Sequence, residues 1–276
     1  MATDAWTEVA EGLLESGRVD GLDLNYAKGF KDINLEFVRD WPLKRLTVLA
    51  RTVSDLAPIS RLAETVESLS VQTAPSATLD VSAFPRLTSL AAEWSQVRLS
   101  IATAGALTDL LLRSYREVDL VPLQWNSRLR RLRFKDRPSL QTLTGVGELH
   151  ELEHLGVYLA PLRDIEDLRD IQSELLYLHI ELCRIGDLGP VSGLSALRML
   201  NAGDCGGIRS VAPLRNLQNL RVAWLFGSTN VLDHDLSALV DLPALEELRM
   251  QSRQSYRPSV GFIHSLIAER GTALRR

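Results

Sequence analysis

Residues 175–196 read LLYLHIELCRIGDLGPVSGLSA, and residues 197–219 read LRMLNAGDCGGIRSVAPLRNLQN. Laid one over the other, Leu175 falls on Leu197, Leu178 on Leu200, Ile180 on Ala202 and Cys183 on Cys205. The second halves agree as well, because Ile185-Gly-Asp-Leu-Gly-Pro-Val191 recurs as Ile208-Arg-Ser-Val-Ala-Pro-Leu214. In each, an apolar triplet spaced L-x-x-L-x-L leads the copy. Its x-L-x-L part alternates with period two, as a short strand does when one face is buried and the other wet.

Working outward from this pair, the triplet recurs eleven times. Its first residues are Val19, Leu43, Val66, Leu87, Leu107, Leu129, Leu152, Leu175, Leu197, Leu220 and Leu245, 20 to 25 residues apart. One match would be weak, but eleven at a near-constant period mark a repeat architecture. A single copy cannot bury its own apolar side, whereas stacked copies join those sides into one continuous core. Strands of successive copies then pair in parallel, one coil apart.

These residues resemble the leucine-rich repeat family in its short, roughly 22-residue, bacterial-internalin-like form. The resemblance covers residues 19 to 252, and Val53-Ser-Asp-Leu-Ala-Pro-Ile59 is a third match to the second half-copy. The departure is at the ninth repeat position, where the family has Asn or Cys and only Cys183 and Cys205 comply. Ala27, Arg51, Ala74, Ser95, Tyr115, Arg137, Ala160, Ser228 and Arg253 fill the slot elsewhere, so an irregular inner hydrogen-bond ladder is expected. The resemblance implies an α/β repeat solenoid: a curved right-handed coil with a parallel β-sheet on its concave side, working by binding a protein partner. The period never breaks, so the chain reads as a single domain, 1–276, with caps at 1–18 and 253–276.

On the convex side, the Asp-Leu-x-Pro-Leu pattern of the second half predicts 3-10 turns. In the first half, Ile33-Leu35-Phe37, Leu79-Val81, Val97-Leu99-Ile101 and Val118-Leu120 alternate and predict short strands. Leu232 to Leu242 reads as a helix with Asp233 or Asp235 near its start. Solenoid ends expose apolar core and strand edges. Trp6, Val9, Ala10, Leu13 and Leu14, after Thr3 and Asp4, predict a capping helix over residues 4–16, and Phe262, Ile263, Leu266 and Ile267 a second one after Pro258.

Composition agrees with a packed chain. Leucine accounts for 51 of 276 residues, which excludes a disordered chain poor in large aliphatics. No apolar run reaches the ~18 residues of a membrane helix, and the acidic N-terminus has no secretion signal. The expectation is therefore a cytoplasmic protein with reduced thiols. Basic charge is carried by 27 Arg against 4 Lys, the bias of a GC-rich, bacterial genome. Net charge is −4, which disfavours a nucleic-acid or membrane partner for the chain as a whole.

Repeat positions 3, 5 and 7 point out of the concave sheet. In the early copies they are small and polar, as at Ser70 and Gln72. In later copies a basic stripe of Arg113, Arg131, Arg133 and Lys135 merges into an aromatic one of His154, Tyr158, Tyr177, His179, Trp224 and Phe226. Arg beside exposed aromatics is the composition of interface hot spots. These ten residues are the candidate partner site, and a monomer binding a protein is the preferred reading. The runners-up are a nucleic-acid binder using the basic stretch Arg113–Arg137 and a targeting subunit of an enzyme complex. No nucleophile motif, P-loop or dinucleotide fingerprint is present, so neither catalysis nor a cofactor is expected. His154, His179 and Glu181 share a surface, but they read as part of a recognition face rather than as metal ligands. Cys183 and Cys205 read as inward-facing, inert thiols.

Overall fold

A computed structural model of the chain describes residues 8–38 and 41–273. Two compact units are present: Met1–Tyr115 with Trp125–Leu129, and Arg116–Gln124 with Arg130–Arg276.

In the first unit, α1 (Glu8–Glu15) precedes five strands, β1 (Gly21–Asn25), β2 (Arg45–Leu49), β3 (Ser68–Gln72), β4 (Ser89–Glu93) and β5 (Asp109–Arg113). They pair in parallel in chain order, and the register joins equal repeat positions: Arg45 faces Ser68, and Glu93 faces Arg113. In the second unit, β6 (Arg131–Lys135), β7 (His154–Tyr158), β8 (Tyr177–Glu181), β9 (Met199–Asn201), β11 (Val222–Leu225) and β13 (Glu247–Met250) follow the same rule. Each of the eleven triplets thus supplies one strand. Leu46, Leu69, Leu90, Leu110, Leu132, Leu155, Leu178 and Leu200 are all buried at the fourth position, in one apolar column per unit. Each fully buried Leu stabilises the fold by ~1.5–3 kcal/mol relative to an exposed one.

The back of the first unit differs from expectation. Where alternation predicts strands, the chain forms 3-10 turns at Val81–Ala83 and Ile101–Thr103 and a short α-turn, α2 (Trp94–Val97). Val118-Leu120, in the second unit, leads into another 3-10 turn at Val121–Leu123. The cause is local. The carboxylates of Asp80 and Asp119 accept the N–H two residues on, from Ser82 and Val121, which tightens the chain into a turn. Pro122 removes a donor that a strand would need. Ile33, Leu99 and Val118, placed in those expected strands, are exposed. The one back ladder among the described residues is in the second half instead, where β10 (Gly207–Ile208) pairs with β12 (Asn230–Val231). The 3-10 turns expected there are present at Gly189–Gly193 and Ala212–Asn216.

The ninth-position ladder is irregular, as expected. In the second unit, Cys205 Sγ donates to the Ile180 carbonyl at 2.8 Å and Cys183 Sγ to Val157 at 3.6 Å. The first unit uses side-chain amides instead. Gln96 Nε2 donates to Thr73 Oγ1 and the Ala74 carbonyl, and Asn126 Nδ2 to the carbonyls of Ile101 and Ala104. Tyr115, in the ninth slot, is fully buried edge-on against Trp94, with ring centroids 4.6 Å apart.

Both end helices exist, with corrections. In α1, Leu14 is buried; Thr3, Asp4 and Trp6 lie outside the described residues. The helix expected over 232–242 shrinks to one turn, α3 (Ser237–Val240), because the Asp233 and Asp235 carboxylates each close a turn before it. At the other end, α4 (Val260–Ala273) buries Val260 and Ile263, whereas Phe262 is exposed. Arg270 ties α4 down by donating to the carbonyls of Leu242 and Val240 at 2.6 and 2.8 Å. Deleting residues 258–276 uncovers Leu242, Leu245 and the β13 edge. A lower melting temperature or aggregation is the expected result, and an unchanged thermal melt would show α4 to be an appendage.

Candidate functional site

The outward positions of β6, β7 and β8 converge on a shallow depression of about 250 Å³. Six of the ten expected residues line it: Arg131, Arg133, His154, Tyr158, Tyr177 and His179. The register explains the convergence, since His154 stands opposite Tyr177 and Gly156 opposite both Arg133 and His179. The His154 and Tyr177 rings are in contact at a 41° tilt with centroids 4.3 Å apart, and those of Tyr158 and His179 lie 6.1 Å apart at 35°. Lys135 Nζ stands 6.0 Å from the Tyr158 ring centre, at the limit of a cation–π contact.

Gly156 is the floor. A Cβ there would come within 3.0 Å of Tyr158 Cε2 and 3.3 Å of Arg133 Cγ. The absence of a side chain lets the Tyr158 ring and the Arg133 stem settle onto the strand at the bottom of the depression. The outward columns contain this glycine, flanked by Arg133 and His179. That gap is the sequence signal for a hollow, and only side-chain contacts show its depth.

Electrostatics sort the lining groups. Burial pushes the Tyr158 phenol above its usual range; the nearby Glu181 adds to this, and Arg133 opposes it. Burial also lowers the His179 pKa, against the pull of Glu181. The same burial disfavours the charged form of His179, whereas Arg131, Arg133 and Lys135 bring guanidinium and ammonium groups to the hollow. Glu181 is held from the far side, accepting from Asn201 Nδ2 at 2.8 Å, and Asn201 is itself buried.

The remaining four candidates, apart from Lys135 at the rim, are placed elsewhere. Arg113 ends β5 in the first unit, opposite Glu93. Trp224 and Phe226 do lie together at β11, 6.4 Å between ring centres, but both are engaged within the chain. The Arg249 guanidinium covers the Trp224 ring at 4.2 Å, the indole N–H donates to Glu247 Oε1, and Arg249 Nε donates to the same oxygen. Phe226 lies on Gly203, where a Cβ would be 2.5 Å from its ring. Glu247, Arg249 and Gly203 are not among the expected site residues. Their role depends on cross-coil contact, which spacing alone does not report. Part of the Arg113–Arg137 basic stretch is neutralised too, since Arg130 is ion-paired with Glu153. Among the described residues no group of three or more His, Cys, Asp or Glu is placed to hold a metal ion, and no helix is long and apolar enough to cross a membrane.

No protein-family model and no curated protein matches the chain. Solved structures do. An internalin (inlF) from Listeria monocytogenes superposes with a TM-score of 0.58 at 20% identity, over 77% of this chain and 64% of the internalin. A leucine-rich-repeat protein of Leptospira interrogans gives 0.56 at 16% identity, over 91% of this chain and 64% of its own. The chain folds as a leucine-rich-repeat protein. A TDR receptor is also similar, with a TM-score of 0.52 at 14% identity, over 91% of this chain and 50% of the receptor. The leucine-rich-repeat chain thus spans half to about two thirds of the length of these structures. At such identities the likeness concerns the fold.

Proposed function

We propose that this leucine-rich-repeat chain is a non-enzymatic recognition module that binds a protein partner through the open face of β6–β8. The observation that carries the reading is the glycine-floored hollow between two tilted ring pairs, bordered by Arg131 and Arg133. Its volume, about 250 Å³, is below the ~300–1,000 Å³ typical of small-molecule sites. It suits one or two side chains of a larger partner rather than a whole cofactor. Ordered aromatics lose little rotamer freedom on contact, which is why such clusters dominate interface energetics. The same reading takes the chain to be a monomer in a bacterial cytoplasm, in keeping with its Arg-rich composition and two free thiols.

The test is binding and circular dichroism on the same variants. Tyr177→Ala removes one ring of the closest pair and is expected to cost ~2 kcal/mol, about thirtyfold in affinity, with the fold intact. Gly156→Val displaces Tyr158 and Arg133, which lie on the glycine, and should act comparably. Trp224→Ala should act less, because its ring face and N–H are already spoken for. Arg131→Ala and Arg133→Ala should slow association chiefly at low salt. Ser70→Ala and Gln72→Ala, on the first unit, are the controls. If Tyr177→Ala and Gly156→Val both bind like wild type, the partner sits elsewhere. A nucleic-acid partner would instead show a steep salt dependence of binding.

A further inference from the structure

Five of the six sheet strands of the second unit are followed by a left-handed residue. At the eighth repeat position Asp136, Leu159, Leu182, Asp204 and Gly227 all have positive φ, between 54° and 66°. The conformation is imposed by the coil. The N–H of each of Leu159, Leu182 and Asp204 reaches a carbonyl of the next coil, at Glu181, Gly203 and Phe226, at 2.9–3.0 Å. Glycine and aspartate tolerate this region, whereas a leucine there pays for a Cβ crowded against its own carbonyl. Asp204 also puts its side chain to use, accepting the Ser228 N–H at 2.9 Å. Leu159 and Leu182 have no such return. Their side chains are 43% and 44% exposed, so they do not contribute a buried core. Two strained, exposed leucines on successive coils are a local conflict that folding does not explain, and such conflicts collect at functional sites.

What they border supports that reading. Leu159 and Leu182 line a cavity of about 520 Å³ together with Pro161, Gln141, Arg137 and Arg184, within the ~300–1,000 Å³ range of ligand sites. Neither the Arg137 nor the Arg184 guanidinium has a hydrogen-bond or ion-pair partner among the described residues, and no acidic residue lines the cavity. Two unpaired cations beside two apolar side chains call for one ligand that is both anionic and apolar. Guanidinium pairs with carboxylate in bidentate geometry.

We propose that this cavity, distinct from the open-face hollow, captures the free C-terminus of a peptide whose last residue is apolar, with Arg137 and Arg184 on the carboxylate and Leu159 and Leu182 against the side chain. A chain terminus is favoured over an internal acidic residue because it carries both groups on one residue, matching arginines and leucines that line the same open cleft.

The experiment is fluorescence polarisation of the full chain with a labelled hexapeptide ending in Ser-Ala-Leu with a free carboxylate. Saturable binding is expected. Amidating the terminus, or replacing the last Leu by Ser, should each weaken it at least tenfold, and so should the pair Arg137→Ala with Arg184→Ala. Leu182→Gly relieves the strain, so it should raise the melting temperature while weakening the peptide, a combination that damage to the fold does not produce. Tyr177→Ala should leave the peptide affinity unchanged, which separates this site from the open face. Several results would overturn the proposal. These are no saturable binding at millimolar peptide, equal binding of the amide, equal or tighter binding of an amidated peptide with an internal Asp-Leu pair, or no response to the arginine variants. Should the peptide fail while Tyr177→Ala still weakens the protein partner, the cavity proposal falls alone.

Discussion

Native alkylation of Cys183 and Cys205 at pH 8 is expected to run about a hundred to a thousand times more slowly than alkylation of a free thiol. Both cysteines face inward at the ninth repeat position and are buried. Burial pushes the thiol pKa from 9.0 up to about 11 for Cys205 and about 12 for Cys183, against smaller downward effects from neighbouring backbone groups. Only the thiolate reacts, and at pH 8 its population falls tenfold for each step by which burial raises the pKa. The folded chain keeps these protons above pH 9, where the unfolded chain releases them. Stability on this account is therefore undiminished below pH 9 and falls as pH rises from 9 towards 11–12. The measurements are labelling kinetics under native conditions and denaturant melts between pH 8 and 11. Labelling at the free-thiol rate would mean the cysteines are not seated in the ladder.

Leu178→Ala is expected to destabilise the second unit by ~2–5 kcal/mol, whereas His179→Ala, one residue on, should cost under ~1 kcal/mol. Leu178 is fully buried in the apolar column between Leu155 and Leu200. Coils on either side hold the gap open, so removing its isobutyl group leaves a cavity that the stack cannot close. His179 is half-buried on the open face, touching Tyr158 but filling no core. Equilibrium unfolding monitored by circular dichroism compares the two directly. A repeat read one residue out of register would reverse the order, because adjacent strand residues point to opposite faces.

The repeat was legible because every copy states the same physics. Leu175-Leu178-Ile180 fits a strand with one buried face, and ten further copies say so at almost the same interval. The facing of Tyr177, His179 and Glu181 followed from the same alternation. The back of the coil was less legible. Val97-Leu99-Ile101 alternates like a strand, yet α2 and a 3-10 turn occupy this stretch and Leu99 is exposed. A short alternating run carries little information against side-chain caps such as Asp80 to Ser82, which act over two residues and leave no periodic trace.

What the sequence by itself determined was the unit of folding, its period, the parallel register of equal positions and the inward seat of both cysteines. These depend on interactions repeated in every copy, so their signal adds. What only the tertiary structure decided was which outward side chains are available. His154 against Tyr177, Arg249 over Trp224, Phe226 on Gly203 and the hollow above Gly156 each arise once, between residues about twenty positions apart. Their geometry is set by the volume of particular neighbours, and a contact made once leaves no pattern along the chain.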